Sequence, residues 1–156
     1  MKITVDWLKE KRACLEGIEW FENQKLSESV DVLKSLIKED KLDWANWTIV
    51  RVMERKQYLQ YAVFAAEQAL DIFEQKYPDD KRPRQAIDSA RKCLENNSEE
   101  NRAAAYAAHA AAYAAYAAAD AAAYAAYAAG AAGRVAKKKM RLKILEYGIG
   151  LLEVKP

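Results

Sequence analysis

Apolar residues recur at helical spacing along almost the whole chain, and breakers are few: prolines stand only at 78, 83 and 156, and glycines at 17, 130, 133, 148 and 150. Residues 5–24 carry Trp7, Leu8, Leu15, Ile18, Trp20 and Phe21 as apolar positions and predict one or two short helices. In 27–39, Val30, Leu33, Leu36 and Ile37 fall on one face, with Ser27 or Ser29 available as a cap. Asp43 is the expected cap of a helix over 43–55, where Trp44, Trp47, Ile49, Val50 and Val52 are dense enough for burial on more than one side. The pattern Tyr58, Tyr61, Phe64, Ala65, Leu70, Ile72, Phe73 predicts a helix over 58–77 that stops at Tyr77-Pro78, because a residue before proline disfavours the α region. Pro83 then suits an early position of the helix RPRQAIDSARKCLENN. No alternating β pattern extends beyond ITV at the start, so a sheet is not expected.

The most unusual pattern lies at residues ~98–132. From Ala103 to Ala132 every position is alanine except Tyr106, His109, Tyr113, Tyr116, Asp120, Tyr124, Tyr127 and Gly130. At about 100° per residue, the seven positions from Tyr106 to Tyr127 fall within an arc of about 80°. Alanine has the highest helix propensity, so a long helix is expected. Its opposite face holds no charge for about eight turns, which calls for cover by other helices or by another copy of the chain. The fold expected is all-α: a compact multi-helix bundle around a long central Ala/Tyr helix. We read 1–156 as a single domain, with N-terminal helices 1–55 packing on a helical part 56–156.

Two uses of the tyrosine stripe compete. As core, its hydroxyls and His109 need partners, and Asp120 lies within one or two turns of Tyr113, Tyr116, Tyr124 and Tyr127 to accept from them. A buried Asp120 would in turn need a cation, for which Arg51, Arg82, Arg84, Arg91 and Arg102 are candidates. As a groove, the stripe would hold a small ligand or a partner segment. A lone histidine without a second His or a Cys nearby reads as a hydrogen-bonded core residue rather than a metal ligand.

Composition removes several function classes. A formal net charge of +2 supplies no global field toward nucleic acid or membrane. His109 and Asp120 disqualify the alanine run as a membrane span. The N-terminus, MKITVDWLKEKRA, lacks the apolar core of a secretory signal, so a cytoplasmic location is expected. Cys14 and Cys93 form no CxxC or Cys/His cluster; they read as reduced, mostly buried thiols, and no metal or cofactor is expected. One histidine and the absence of GxSxG, P-loop, GxGxxG and HExxH patterns argue against catalysis, since Asp120 beside tyrosines has neither nucleophile nor metal to serve.

The segment Tyr77-Pro78-Asp79-Asp80-Lys81-Arg82-Pro83-Arg84 packs two prolines, two acids and three bases into eight residues. It predicts a rigid corner, with Asp79 or Asp80 capping the helix entered at Pro83. Arg84 stands in the first turn, against the helix dipole, and calls for an acidic partner. The corner is either a structural element tied by ion pairs or an exposed anion or partner site.

Here the chain resembles a known family. The stretch AAEQALDIFEQKYPDDKRPRQAIDSARKCLENN followed by an alanine-rich helix is similar to the Imm5-like immunity proteins of bacteria and their phages, in which D-D-x-R-P-R-x-A-I precedes such a helix. The matching residues are Asp79, Asp80, Arg82, Pro83, Arg84, Ala86 and Ile87, within a resemblance spanning about 55–135. WLKEKRACLEGIEWF with the later WANWTIVR resembles the start of small phage and prophage proteins. The resemblance implies a binding role toward another protein and no chemistry. The expectation is thus a non-enzymatic interaction protein, an immunity- or inhibitor-like binder, with a homo-oligomer through the alanine face as a further option.

The run Arg134, Lys137, Lys138, Lys139, Arg141, Lys143 leaves one other alternative, a nucleic-acid-associated phage protein using 134–143. It lacks the wide basic surface, aromatics or helix-turn-helix such a role requires. It reads instead as a solvated turn after Gly133, leading into a docked helix with Ile144, Leu145, Ile149, Leu151 and Leu152 on its apolar face.

Overall fold

A computed structural model describes residues 1–96, 98 and 131–154. The tyrosine stripe, from Tyr106 through His109, Tyr113, Tyr116, Asp120 and Tyr124 to Tyr127, lies outside the described residues, as does the expected central placement of its helix. Among the described residues the structure is all-α, and the early ITV segment makes only an isolated antiparallel bridge between Lys2 and Glu28.

The chain divides into two compact units. The first comprises Met1–Glu54 and the residues from Leu145 onward; the second is Arg55–Ile144. In the first unit, helices α1 (Val5–Glu10) and α2 (Leu15–Gln24) pack on each other, as do α3 (Ser29–Lys38) and α4 (Leu42–Val52). Thr4 starts α1: its Oγ1 accepts the Trp7 N–H at 3.2 Å, with Asp6 in the first turn. α1 closes with two backbone bonds, Arg12 N–H to the Lys9 carbonyl (3.0 Å) and Ala13 N–H to the Leu8 carbonyl (2.9 Å). This pattern is a Schellman motif, and it puts Arg12 at φ 59. α3 ends the same way: Asp40 N–H bonds the Ile37 carbonyl (3.0 Å) and Lys41 N–H the Leu36 carbonyl (2.8 Å), with Asp40 at φ 60. α2 ends on Lys25, also left-handed at φ 53.

Two expected caps do not form. Glu28, not Ser27 or Ser29, precedes α3, and no side chain caps it. The chain start supplies the bonds instead: Ser29 N–H donates to the Met1 carbonyl (2.9 Å) and Ile3 N–H to the Ser27 carbonyl (2.7 Å). Ser29 is consequently buried. α4 begins one residue before Asp43, which lies inside its first turn, where the dipole still favours an acid. Cys93 is buried as expected, whereas Cys14 is exposed, because it is the extended residue ahead of α2. Neither forms a disulfide among the described residues.

In the second unit, α5 (Arg55–Lys76) and α6 (Arg82–Glu95) form a helical hairpin. Val63, Ala66 and Leu70 of α5 meet Ala86, Ile87 and Ala90 of α6, and Leu59 and Leu94 pack at the margin. Three alanines in a cluster of six let the two backbones approach closely. α5 stops before Pro78 as the sequence predicts, with a last bond from Tyr77 N–H to the Phe73 carbonyl (2.8 Å).

The last helix, α7 (Ala131–Glu153), corrects the expected turn after Gly133. Gly133 is inside the helix and the basic run 134–143 is helical. One glycine costs only about 1 kcal/mol relative to alanine, and the lysines and arginines that follow are good helix formers. α7 belongs to the second unit up to Ile144 and to the first from Leu145. Leu145 is 2% exposed, one of the largest fully buried side chains along with Ile3, Leu33, Leu36 and Ile49 of the same unit. Lys34 Nζ reaches Glu153 Oε1 at 2.8 Å and ties the end of α7 to α3. Among the described residues, no helix is long and apolar enough to cross a membrane.

Candidate functional site

The residues of the DDxRPRxAI motif form the tip of the α5–α6 hairpin. Pro78 ends α5, and Asp80 N–H closes the turn on the Tyr77 carbonyl at 3.2 Å. Pro83 sits in the first turn of α6, where its missing N–H costs nothing, and is buried. Lys81 is the formal residue before the helix, but the capping oxygen belongs to Asp80, whose Oδ1 accepts the Arg82 N–H at 3.1 Å. The same carboxylate takes the Arg82 guanidinium as a fork, with Nε to Oδ1 at 2.9 Å and Nη2 to Oδ2 at 2.6 Å. Side-chain and backbone hydrogen bonds from Arg82 hold the Asp80 carboxyl at about 2, below its ordinary 3.8. Arg82 is nevertheless 87% exposed, so its guanidinium is fixed in place at the surface. Asp79 is exposed beside it.

The acidic partner that Arg84 requires is Glu74 of α5, gripped by Nε at 2.7 Å and Nη2 at 2.6 Å. Hydrogen bonding to Arg84 holds the Glu74 carboxyl below its ordinary range. Seven residues further along α6, Arg91 forks on Glu67 at 3.0 and 2.6 Å, and Glu67 lies seven residues before Glu74. Two rungs two turns apart therefore set the antiparallel register of the hairpin. Ala86 and Ile87, the last motif positions, are core. Within the motif, Arg84, Pro83, Ala86 and Ile87 build the hairpin, and Asp80 positions Arg82 for display.

The basic run lies on α7, with Arg134 and Lys137 to Lys139 exposed and Lys143 Nζ 5.9 Å from the Phe64 ring centroid. Among the described residues no three His, Cys, Asp or Glu side chains are grouped to hold a metal.

One feature of the first unit was not anticipated as a site. A cleft of about 340 Å³ opens among α1, α2, α3 and α4, walled by Leu8, Trp20, Phe21, Leu36, Trp44 and Trp47, with Arg12, Cys14, Asp43 and Thr48 also on its lining. The indoles are held from several sides. Trp20 Nε1 donates to Glu39 Oε2 at 2.8 Å, and the ring meets Trp44 edge-on at 6.3 Å. Trp47 meets Trp7 at 6.2 Å, Arg51 lies over its ring at 4.0 Å, and Lys41 lies over Trp44 at 4.7 Å. The available signal was distribution: all four tryptophans, Trp7, Trp20, Trp44 and Trp47, fall in the first third of the chain. Spacing alone assigned them to core.

These features define an all-α protein with an arginine-forked helical hairpin and a separate tryptophan-walled unit. A family model described as "Imm-5 like putative immunity protein" matches residues 48–153, more than half of the chain, and the chain belongs to that family. The match extends beyond both ends of the stretch that carried the resemblance. No curated protein and no solved structure matches the chain. Of the cleft-lining residues only Thr48 lies within the matched segment.

Proposed function

We propose that this chain is an immunity-type protein that acts by binding another protein and blocking it, without catalysing a reaction. Family membership supports the type of role. The observation that carries the reading is the hairpin tip: Arg82 is exposed yet locked by the Asp80 fork. Arginine presented in a fixed geometry is a common anchor in protein interfaces, because little side-chain freedom is lost on docking. Two cysteines held outside any disulfide suit action in a reducing cytoplasm. The expected partner is a protein with a carboxylate able to share the guanidinium face that Asp80 leaves open.

Tagged full-length chain should retain a partner from cells that carry the neighbouring genes, and co-expression with a toxin encoded alongside should restore growth. Arg82→Ala should lose both effects while staying folded, its melting temperature falling no further than that of Asp80→Asn, which breaks the same ion pair. Retained protection by Arg82→Ala would remove the tip from the interface; failure of the full-length chain to protect against any neighbouring gene product would sink the immunity reading itself.

A further inference from the structure

We propose that the tryptophan cleft of the first unit binds a small aromatic carboxylate, with Arg12 as the anchor for the anion; this site is independent of the partner-blocking role proposed for the hairpin tip. At about 340 Å³ the cleft is at the small end of the range for ligand pockets, with room for a bicyclic ring and a short arm. Its walls are flat and apolar where Trp20, Trp44 and Trp47 line it, and such walls select a planar apolar body. The rings are fixed before any ligand arrives, by the Glu39 hydrogen bond, the edge contacts and the overlying Lys41 and Arg51, so binding orders few side chains.

The charge of the ligand follows from the two ionisable lining groups of opposite sign. Asp43 is already engaged within the chain. The Arg12 guanidinium lines the same cleft and makes no hydrogen bond, ion pair or ring contact with the described residues. An apolar cleft whose uncommitted charge is a guanidinium favours an anion, and a carboxylate matches the fork with two parallel bonds. A cationic ligand would face Arg12 and find Asp43 occupied. Lys41 and Arg51, lying over Trp44 and Trp47, add further positive charge beside the cleft and disfavour a cation there. The Schellman closure also fixes the Arg12 backbone, by its own N–H on the Lys9 carbonyl and by the Ala13 N–H on the Leu8 carbonyl, and Leu8 and Ala13 line the cleft.

The left-handed backbone makes the test selective, because glycine fits position 12 without strain and Arg12→Gly removes the anchor while preserving the fold. Full-length protein labelled with ¹⁵N is titrated with indole-3-acetate, its neutral analogue indole-3-acetamide and cationic tryptamine, following the tryptophan Nε1–H resonances. The acetate should bind saturably, shift the Trp20, Trp44 and Trp47 signals, and bind about tenfold tighter than the amide. Arg12→Gly should bring the acetate down to the level of the amide with no loss of melting temperature, and Trp44→Ala should weaken both. The proposal is overturned by absence of saturable acetate binding at millimolar concentration, by equal or tighter binding of the amide or tryptamine, or by an Arg12→Gly chain that keeps its preference for the acetate.

Discussion

Three helices of the first unit end on non-glycine residues in the left-handed region: Arg12 at φ 59, Lys25 at φ 53 and Asp40 at φ 60. An L-residue held there costs roughly 1–2 kcal/mol through the approach of Cβ to the carbonyl oxygen. Glycine escapes that cost but gives up about 0.5–1 kcal/mol through the extra freedom of the unfolded chain. The net expectation is that Arg12→Gly and Lys25→Gly each stabilise by about 0.5–1 kcal/mol. Asp40→Gly should gain less, because aspartate already populates this region more readily. For a chain of this length, ~1 kcal/mol moves a melting midpoint by about 2–4 °C. The matching alanine variants keep the strained backbone and lose only the side chain, so the Gly-minus-Ala difference at each position isolates the backbone effect. Thermal and urea unfolding followed by circular dichroism would measure it. If Arg12→Gly is no more stable than Arg12→Ala, the strain argument fails, and with it the use of Arg12→Gly as a fold-preserving probe of the cleft.

Leu145→Ala should cost about 2–5 kcal/mol, because a fully buried leucine leaves a cavity, and hydrogen exchange should show the loss in residues 1–54, to whose unit Leu145 belongs. Exchange rates unchanged there would contradict the shared core. The Asp80 carboxyl, lowered to about 2 from 3.8, contributes stability that is fully present above about pH 4 and is lost as pH falls toward about 2. Asp80→Asn should therefore show a shallower loss of stability between about pH 4 and 2 than the parent, and parallel acid curves would refute the pairing with Arg82. Native protein should release one equivalent with a thiol reagent, from exposed Cys14, and the second only after unfolding exposes Cys93; two equivalents released at once would contradict the burial of Cys93.

Periodicity located the helices because the apolar spacing is long and rarely interrupted, and the stop at Tyr77-Pro78 follows from local sterics alone. Arg84 in a first turn announced a missing acid but not its identity. Glu74 lies ten residues earlier and is brought opposite by the hairpin, whose register shows in the sequence only as two seven-residue spacings, Glu67 to Glu74 and Arg84 to Arg91. The caps at Ser27, Ser29 and Asp43 were misplaced for the opposite reason. Backbone groups of Met1 and Ile3 come from far along the chain to serve the start of α3, and no local pattern encodes that. The cleft was illegible because a tryptophan in a core and one lining a cavity have the same periodicity. The difference lies in what the opposite wall fails to fill.

The family match and the folding units divide the chain at different places, and the difference bears on how the functions are distributed. The matched segment ends at residue 153 and so includes the end of α7, but Leu145 and Ile149 are buried in the unit built mainly from residues 1–54. The segment also takes in Ile49 and Val52, buried in that same unit. Side chains of this kind contribute about 1.5–3 kcal/mol each when fully buried, so four of them represent a large part of a typical domain's 5–15 kcal/mol. The matched segment of this chain is therefore not a folding unit by itself. Residues 1–47 complete its core, and the cleft lies almost wholly in what they add. A ligand that binds the cleft stabilises that unit, and with it the end of α7 that the matched segment includes.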